Sequence, residues 1–521
     1  NRWICWSRQQ LGLLIWLAAC RHVLGFAIVR AKNRITVASP EGGLCRWMRL
    51  LAALICAAFV GACAAAEPPT IVEGRAISMR FDPNRVAGLP AAGGPSGPRV
   101  EAPSAAGRVS NTDNRPIDRL ALLAVDDIES FWKQNYNPPL PGTFSPVSGL
   151  VSIDPAAAEP TVCGGDPSEL AGNAAYCPRT DVIAWDRVGL LPTAEKYFGN
   201  LAINAVLAHE YGHAIQHESG LASEDTPVLV SEQQADCFAG VYLRWVAEGA
   251  SPRFFMNTTD ALDKVLAGAI ALRDRPLSFN PFGLSPTDDQ HGTALDRVSA
   301  FQEGFDQGAA RCVQIGSREI RQRRGNIPAS LFDPASPQSD MPITEEALAS
   351  LVDVLNRVFR PANPPSLRLG GGCGNGPATY CANSNTIEVD LAALEQLGTP
   401  ATESQKVLLQ GDNSAISVVT SRYMLALQKD LGLAIDGEMA AMRTACLTGV
   451  AQAKMADPSA SNNELVLGAG DLDEAVSGLL TNGIVASDSE GQRVPSGFTR
   501  IMAFRTGLAN EDIQSCIQRF P

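Results

Sequence analysis

The sequence predicts an α+β protein built from two tandem copies of one domain, the second of them degenerate, and three observations predict it. The run from Asn204 to Gln216 carries apolar residues at helical spacing, while "DVIAWD" (181–186) just before it reads as a short strand, so one block mixes both kinds of element. Four landmarks of that block recur in the same order roughly 200 residues later. Between the two sets lies "RQRRGNIPASLFDPASPQSDMP" (321–342), whose charge and proline content are those of an interdomain linker. A chain of 521 residues, 45% of them apolar, is long enough for two to four such units.

Taken in order, residues 1–63 read as an upstream extension plus a targeting signal. The apolar stretches 11–20 and 50–63 are short for a bilayer span of about 20 residues. Arg46 and Arg49 flank Met48, an apolar run follows, and it ends in "VGAC" at Cys63, which resembles the lipobox of bacterial lipoproteins. That resemblance implies cleavage before Cys63, a lipid on its sulfur, and a chain anchored at the outer face of the cell membrane. An ordinary cleaved signal is the alternative, and so is an uncleaved anchor at 11–29, where Arg21 and His22 would be costly in lipid. With Met48 as the start, residues 1–47 are an upstream extension of the reading frame.

Residues 64–116, rich in Ala, Pro and Gly, lack apolar periodicity and are expected to be a flexible tether, with order beginning near Asp118. The first domain then spans 117–320, the linker 321–342, and the second domain 343–521, which is expected to pack on the first. With 42 basic against 55 acidic residues, net charge −13, and no long Lys/Arg block, no surface for nucleic acid is expected.

The repeat is read from particular residues. "CGGDPSELAGNAAYCPRTDVIAWD" (163–186) matches the shorter "CGNGPATYCANSNTIEVD" (373–390): two cysteines around a Gly-rich loop, a Tyr before the second, then a strand ending in Asp. "EYGHAIQ" (210–216) aligns with "RYMLALQ" (422–428), "ADCFAGV" (235–241) with "TACLTGV" (444–450), and "RVSAFQEG" (297–304) with "RIMAFRTG" (500–507). Five of the 13 cysteines lie in the targeting region, leaving an even eight that are expected to pair in an oxidising compartment. Each block has the same quartet. Of three pairings per block, the repeat favours Cys163–Cys177 with Cys237–Cys312, and Cys373–Cys381 with Cys446–Cys516.

The chemistry lies in "HEYGH" (209–213). On a helix, His209 and His213 are one turn apart on one face, so both imidazoles can reach one metal ion, and Glu210 lies beside them to take a proton from metal-bound water. A catalytic zinc site needs a third protein ligand. "SEQQADCFAGVYLRW" (231–245) supplies Glu232 and Asp236 at i and i+4 on a second helix, so that one carboxylate can bind metal while the other orients a histidine through its second nitrogen. His217 is the competitor. It is eight residues after His209, while Ser219 stands where the HExxHxxGxxH pattern needs its third histidine, so His217 reads as peripheral.

HEYGH, then E-x-x-A-D-C-x-A-G-V, then H-G-T…R…F…G…C together resemble the neutral zinc metallopeptidase family, a gluzincin-like group, and the lipobox makes the chain most similar to actinobacterial lipoprotein peptidases within it. The resemblance covers residues 163–312, with the preceding "LLAVDDIESFWKQNY" (122–136) also fitting. It implies zincin-like domains, Zn²⁺ as cofactor, a protein or peptide substrate, His209, His213 and Glu232 as zinc ligands, Glu210 as catalytic base and Asp236 as the support of a ligand histidine. Related zincins stabilise the oxyanion with a His or Tyr, which makes His291 the candidate, ahead of Tyr211 and Tyr242. "DVIAWD" (181–186) is expected to be an edge strand that pairs with an extended peptide.

In the second block Ser421, Arg422, Leu425, Ala441 and Ala445 stand where the first has His209, Glu210, His213, Glu232 and Asp236, so no metal chemistry is expected there. Such a copy could bind substrate, cover the cleft or support the first block. A different reading, a scaffold whose zinc is structural, leaves Glu210 without a task. An aminopeptidase or another amide hydrolase would differ from an endopeptidase in the shape of the cleft.

Overall fold

The computed structural model describes residues 81–521 apart from 158–160, 224, 272–291, 334–340, 371–372, 400–408, 458 and 460–464, together with the backbone of short strands at 70–72 and 75–77. Cys63 and His291 lie outside the described residues.

A small sheet and a cluster of buried helices make up the first half. Strands β1 (Gly97–Pro98), β2 (Val109–Ser110), β3 (Gly149–Ile153), β4 (Ala174–Cys177) and β5 (Val182–Asp186) precede the helices that carry the site. The main sheet has the order β2-β3-β5-β4, parallel except for β4, which runs antiparallel to β5 at the edge. "DVIAWD" is therefore an interior strand and not the edge expected of it. The "AAYC" of β4 is one edge of this sheet, and among the described residues no strand pairs with its other side. Trp185 of β5 is fully buried, and its indole N–H donates to Asp118 Oδ1 on helix α1 (Pro116–Asn135).

After helix α2 (Leu190–Phe198) come the two central helices, α3 (Asn200–Ser219) and α4 (Val228–Ala247), both buried around most of their circumference. Their apolar residues therefore spread around the helix instead of forming one stripe. Strand β6 (Phe254–Phe255) and helices α5 (Asp260–Ala271), α6 (Ala294–Gln307) and α7 (Ser317–Arg324) complete the half. Helices α4 and α6 cross at glycines: a Cβ on Gly304 would lie 1.9 Å from Cys237 O, and one on Gly240 would lie 2.2 Å from Phe301 O. Only hydrogen side chains permit that approach, and the Cys237–Cys312 disulfide ties the crossing.

The second half runs through helix α8 (Glu345–Phe359), strands β7 (Ser366–Leu369), β8 (Ala378–Cys381) and β9 (Thr386–Val389), and helices α9 (Leu391–Gly398), α10 (Asp412–Asp430), α11 (Glu438–Met455), α12 (Ala469–Thr481), α13 (Gly497–Asn510) and α14 (Ile513–Arg519). Its sheet, β7-β9-β8, again has a parallel pair and an antiparallel edge. Helices α11 and α13 cross as α4 and α6 do: a Cβ added on Gly507 would fall 1.8 Å from Cys446 O, and one on Gly449 2.1 Å from Phe504 O. The four disulfides are the pairs the repeat favours. Residues 69–521 cluster as one compact unit. Among the described residues no helix is long and apolar enough to cross a membrane.

Two composition-based expectations fail. From residue 81 the supposed tether lies on the body: β1 pairs with β6, Val86 is fully buried, and Arg99 Nε donates to the carbonyls of Ser251 and Phe254. Its prolines and glycines shape an irregular strap whose polar groups are satisfied by other elements. The supposed linker is likewise packed at 321–333, because Arg324 pairs with Asp296, Arg323 donates to Gln233 Oε1 of α4, and Leu331 is fully buried.

Candidate metal centre

The centre forms where α3 and α4 approach each other most closely. Gly212, in the middle of HEYGH, faces Ala235: a Cβ there would lie 2.7 Å from Ala235 Cα and 2.9 Å from Ala235 O. This contact brings the next turn of α4, with Glu232, over the two histidines of α3. His209 Nε2 lies 3.2 Å from Glu232 Oε2 and His213 Nε2 lies 3.5 Å from Glu232 Oε1. One donor atom from each of the three lies within 4.8 Å of the others, and the imidazole planes stand 89° apart. Two imidazole nitrogens and a carboxylate oxygen converging in this way are the donor set of a catalytic zinc site.

The outward nitrogens are held so that the inward ones can be ligands. His209 Nδ1 lies 2.8 Å from Asp236 Oδ1, an acceptor only, so Nδ1 keeps its proton and Nε2, facing Glu232, is the nitrogen a metal would take. Asp236 is in turn clamped by Arg297 of α6, through Nε to Oδ2 (2.9 Å) and Nη2 to Oδ1 (2.8 Å). His213 Nδ1 donates to Gln216 Oε1 at 2.9 Å. The amide of Gln216 is oriented by its other end, where Nε2 donates to Ser231 O (2.6 Å) and Gln234 Oε1 (3.1 Å). Sequence reasoning found Asp236 but missed Arg297, Gln216 and Gly212. Arg297 and Gln216 belong to the repeated landmarks and Gly212 to the motif, yet nothing local announces their partners.

Electrostatics favour a cation here. Burial opposes a charge on His209, but Asp236 and Glu232 outweigh it and raise its pKa well above the usual histidine range. Asp236 is held below the usual carboxylate range despite its burial, by Arg297 and then by His209. The carboxylates that keep a proton on His209 would equally hold a divalent ion, which competes with the proton for Nε2.

Glu210 is buried next to the cluster, and its Oε2 accepts the backbone N–H of Tyr176 at 2.8 Å. Tyr176 pairs with Ile183 across β4 and β5, in the phase whose N–H points away from β5, so Glu210 sits at the edge of the sheet. His217 is not brought to the cluster: its Nδ1 lies 3.1 Å from the Tyr176 hydroxyl. Nor are Tyr211 and Tyr242. The Tyr211 hydroxyl donates to Glu129 and that of Tyr242 to Asp127, and burial pushes both phenols up.

The corresponding place in the second half is filled otherwise. Arg422 donates to Ile484 O and Ser487 Oγ, burial draws its pKa down to about 10, and Leu425, Ala441 and Ala445 are fully buried. Asp412, Asp471 and Glu474 cluster elsewhere in that half, where they accept the backbone N–H groups of Met341, Gly468 and Asn413.

Comparison with known proteins agrees with the donor set. Residues 70–314 match the family described as "Putative neutral zinc metallopeptidase". The family segment holds every residue of the cluster and stops before the second half. Among relatives, the uncharacterized protein Rv2575 of Mycobacterium tuberculosis (strain ATCC 25618 / H37Rv) is 27% identical over 213 residues, 37% of this chain and 69% of its own. The uncharacterized protein YpfJ of Escherichia coli (strain K12) is 34% identical over 133 residues, 23% of this chain and 45% of its own. No solved structure matches the chain significantly.

Proposed function

We propose that this chain is a zinc-dependent peptidase, lipid-anchored through Cys63 outside the cytoplasmic membrane, with its active site in the first half and a non-catalytic copy as its second. The observation that carries the activity is the convergence of His209, His213 and Glu232 beside a buried Glu210 at a sheet edge. His209, His213 and Glu232 would hold the zinc, which when bound polarises a peptide carbonyl and acidifies water.

The chain's own residues do the rest. Glu210 takes a proton from the attacking water and returns it to the departing amine. Its carboxylate is steered to one place by the Tyr176 N–H. Asp236 and Gln216 accept from the two Nδ1–H groups, so that Nε2 of each histidine is the nitrogen turned to the metal. The outer side of β4 offers an extended peptide backbone groups to pair with, next to Glu210.

The duplication is supported by the shared order of elements, the two glycine crossings and the matched disulfides. Export is supported by those four disulfides, which belong to oxidising compartments.

Elemental analysis of the purified chain tests the ligand set. About one zinc per chain, lost in His213→Ala, is expected; two zinc ions, or none, would contradict the assignment.

A further inference from the structure

The last two long helices of each half cap one another across the middle of the molecule. Asp263 of α5 accepts the Gly497 N–H at the start of α13 (2.7 Å), and Asp473 of α12 accepts the Ala294 N–H at the start of α6 (2.7 Å). The two aspartates correspond: each follows a leucine, in "LDKVLAG" (262–268) and "LDEAVSG" (472–478). Both contacts are buried, so each satisfies a helix-end amide that water does not reach.

The two caps differ in what lies behind them. One turn into α13, Arg500 has no counterpart of Asp236, because Ala445 stands there; it donates instead to the carbonyls of Val494, Leu479 and Pro495 and pairs with Asp263. One turn into α6, Arg297 clamps Asp236, and Asp236 holds His209 Nδ1. A cap from the second half thus lies one helical turn and two hydrogen-bonded contacts from a metal-ligating histidine.

The start of α6 needs this cap. The local capping box of Thr293 and Asp296 has bonds of 3.3 Å, the Asp296 carboxylate is also bound by Arg324 at 2.6 Å, and an N-cap side chain serves the second or third helical amide and not the first. Ala294 is that first residue. Farther along α6, Gln302 Nε2 donates to Phe498 O, a second tie to the other half.

We propose that the second half is a positioning module for the metal centre, with Asp473 as the positioning residue: it fixes the start of α6, α6 presents Arg297 to Asp236, and Asp236 sets His209. This rests on the zinc reading above.

The test is zinc affinity of the full chain, by competition with a chromogenic chelator, with thermal unfolding of the zinc-free protein in parallel. Asp473→Ala is expected to weaken zinc about ten-fold, the low end for loss of a partner behind a ligand. Asp473→Asn keeps an oxygen for the Ala294 N–H and is expected to stay within about two-fold of native. Asp263→Ala loosens the same interface from the other side and is expected to lower the unfolding temperature without changing zinc affinity. Equal zinc affinity in native and Asp473→Ala protein, or an equal loss in Asp263→Ala, overturns the inference while the zinc reading stands. A native chain that takes up no zinc overturns both.

Discussion

Gly212→Ala tests the geometry of the centre with one methyl group. The added Cβ would lie 2.7 Å from Ala235 Cα, where 3.4 Å is the near limit of ordinary contact. Because the neighbour is helix backbone and interiors are close-packed, α3 and α4 must separate by about 0.7 Å. Glu232 rides on α4 and both histidines on α3, so that separation opens the donor set directly. Zinc sites tolerate ligand distances within about 0.2 Å, so the shift exceeds the tolerance several-fold. The expected outcome is a loss of about 1–3 kcal/mol in stability from overpacking. Zinc affinity is expected to fall by about 100-fold, the upper end for perturbing a ligand's support. Chelator competition and thermal unfolding measure the two effects separately. Gly449→Ala, at the equivalent of another tight crossing in the second half, provides the control: it should destabilise the chain and leave zinc affinity unchanged. Native zinc affinity in Gly212→Ala would refute the claim that this crossing sets the site.

Other outcomes follow from the same geometry. Arg297→Met leaves Asp236 buried without its clamp and should cost about 3–5 kcal/mol of stability, read by denaturant unfolding, together with weaker zinc binding. Burial lifts Asp263 to about 7 from its ordinary 3.8, with Arg500 offsetting only part of the effect. The folded chain therefore keeps a proton that the unfolded chain has released between those values, and stability falls as pH rises through that window, by at most about 1.4 kcal/mol per pH unit. Asp263→Asn should remove this component from unfolding temperatures measured between pH 5 and pH 8. Replacing Cys446 and Cys516 together by serine opens a buried disulfide and should cost about 2–5 kcal/mol, measured by thermal unfolding under non-reducing conditions, with native zinc stoichiometry.

What could be read from sequence was what a single helix decides. His209 and His213 share a face because they are four residues apart, and Glu232 and Asp236 do so for the same reason. That the two faces meet depends on Gly212 against Ala235, a contact between helices that no periodicity encodes. Arg297 is 61 residues from Asp236, and its role appears only when α6 is laid on α4 through Gly240 and Gly304. Strand order was misread for a related reason: "DVIAWD" has the apolar content of a strand buried on both sides, and its neighbours β3 and β4 come from separate segments. The strap at 81–116 looked like a tether because its hydrogen bonds go to distant partners such as Ser251 and Thr258. Repetition, by contrast, was informative at long range, since matching cysteine quartets named the disulfide pairs.

The central claim is that Glu210 works on water at a zinc ion held by His209, His213 and Glu232. Its most direct test is cleavage of unfolded casein by the native chain and by Glu210→Gln, with zinc measured on the same samples. The account predicts cleavage by the native chain, loss of it in Glu210→Gln, and about one zinc per chain in both. Cleavage that persists in zinc-loaded Glu210→Gln would contradict the account.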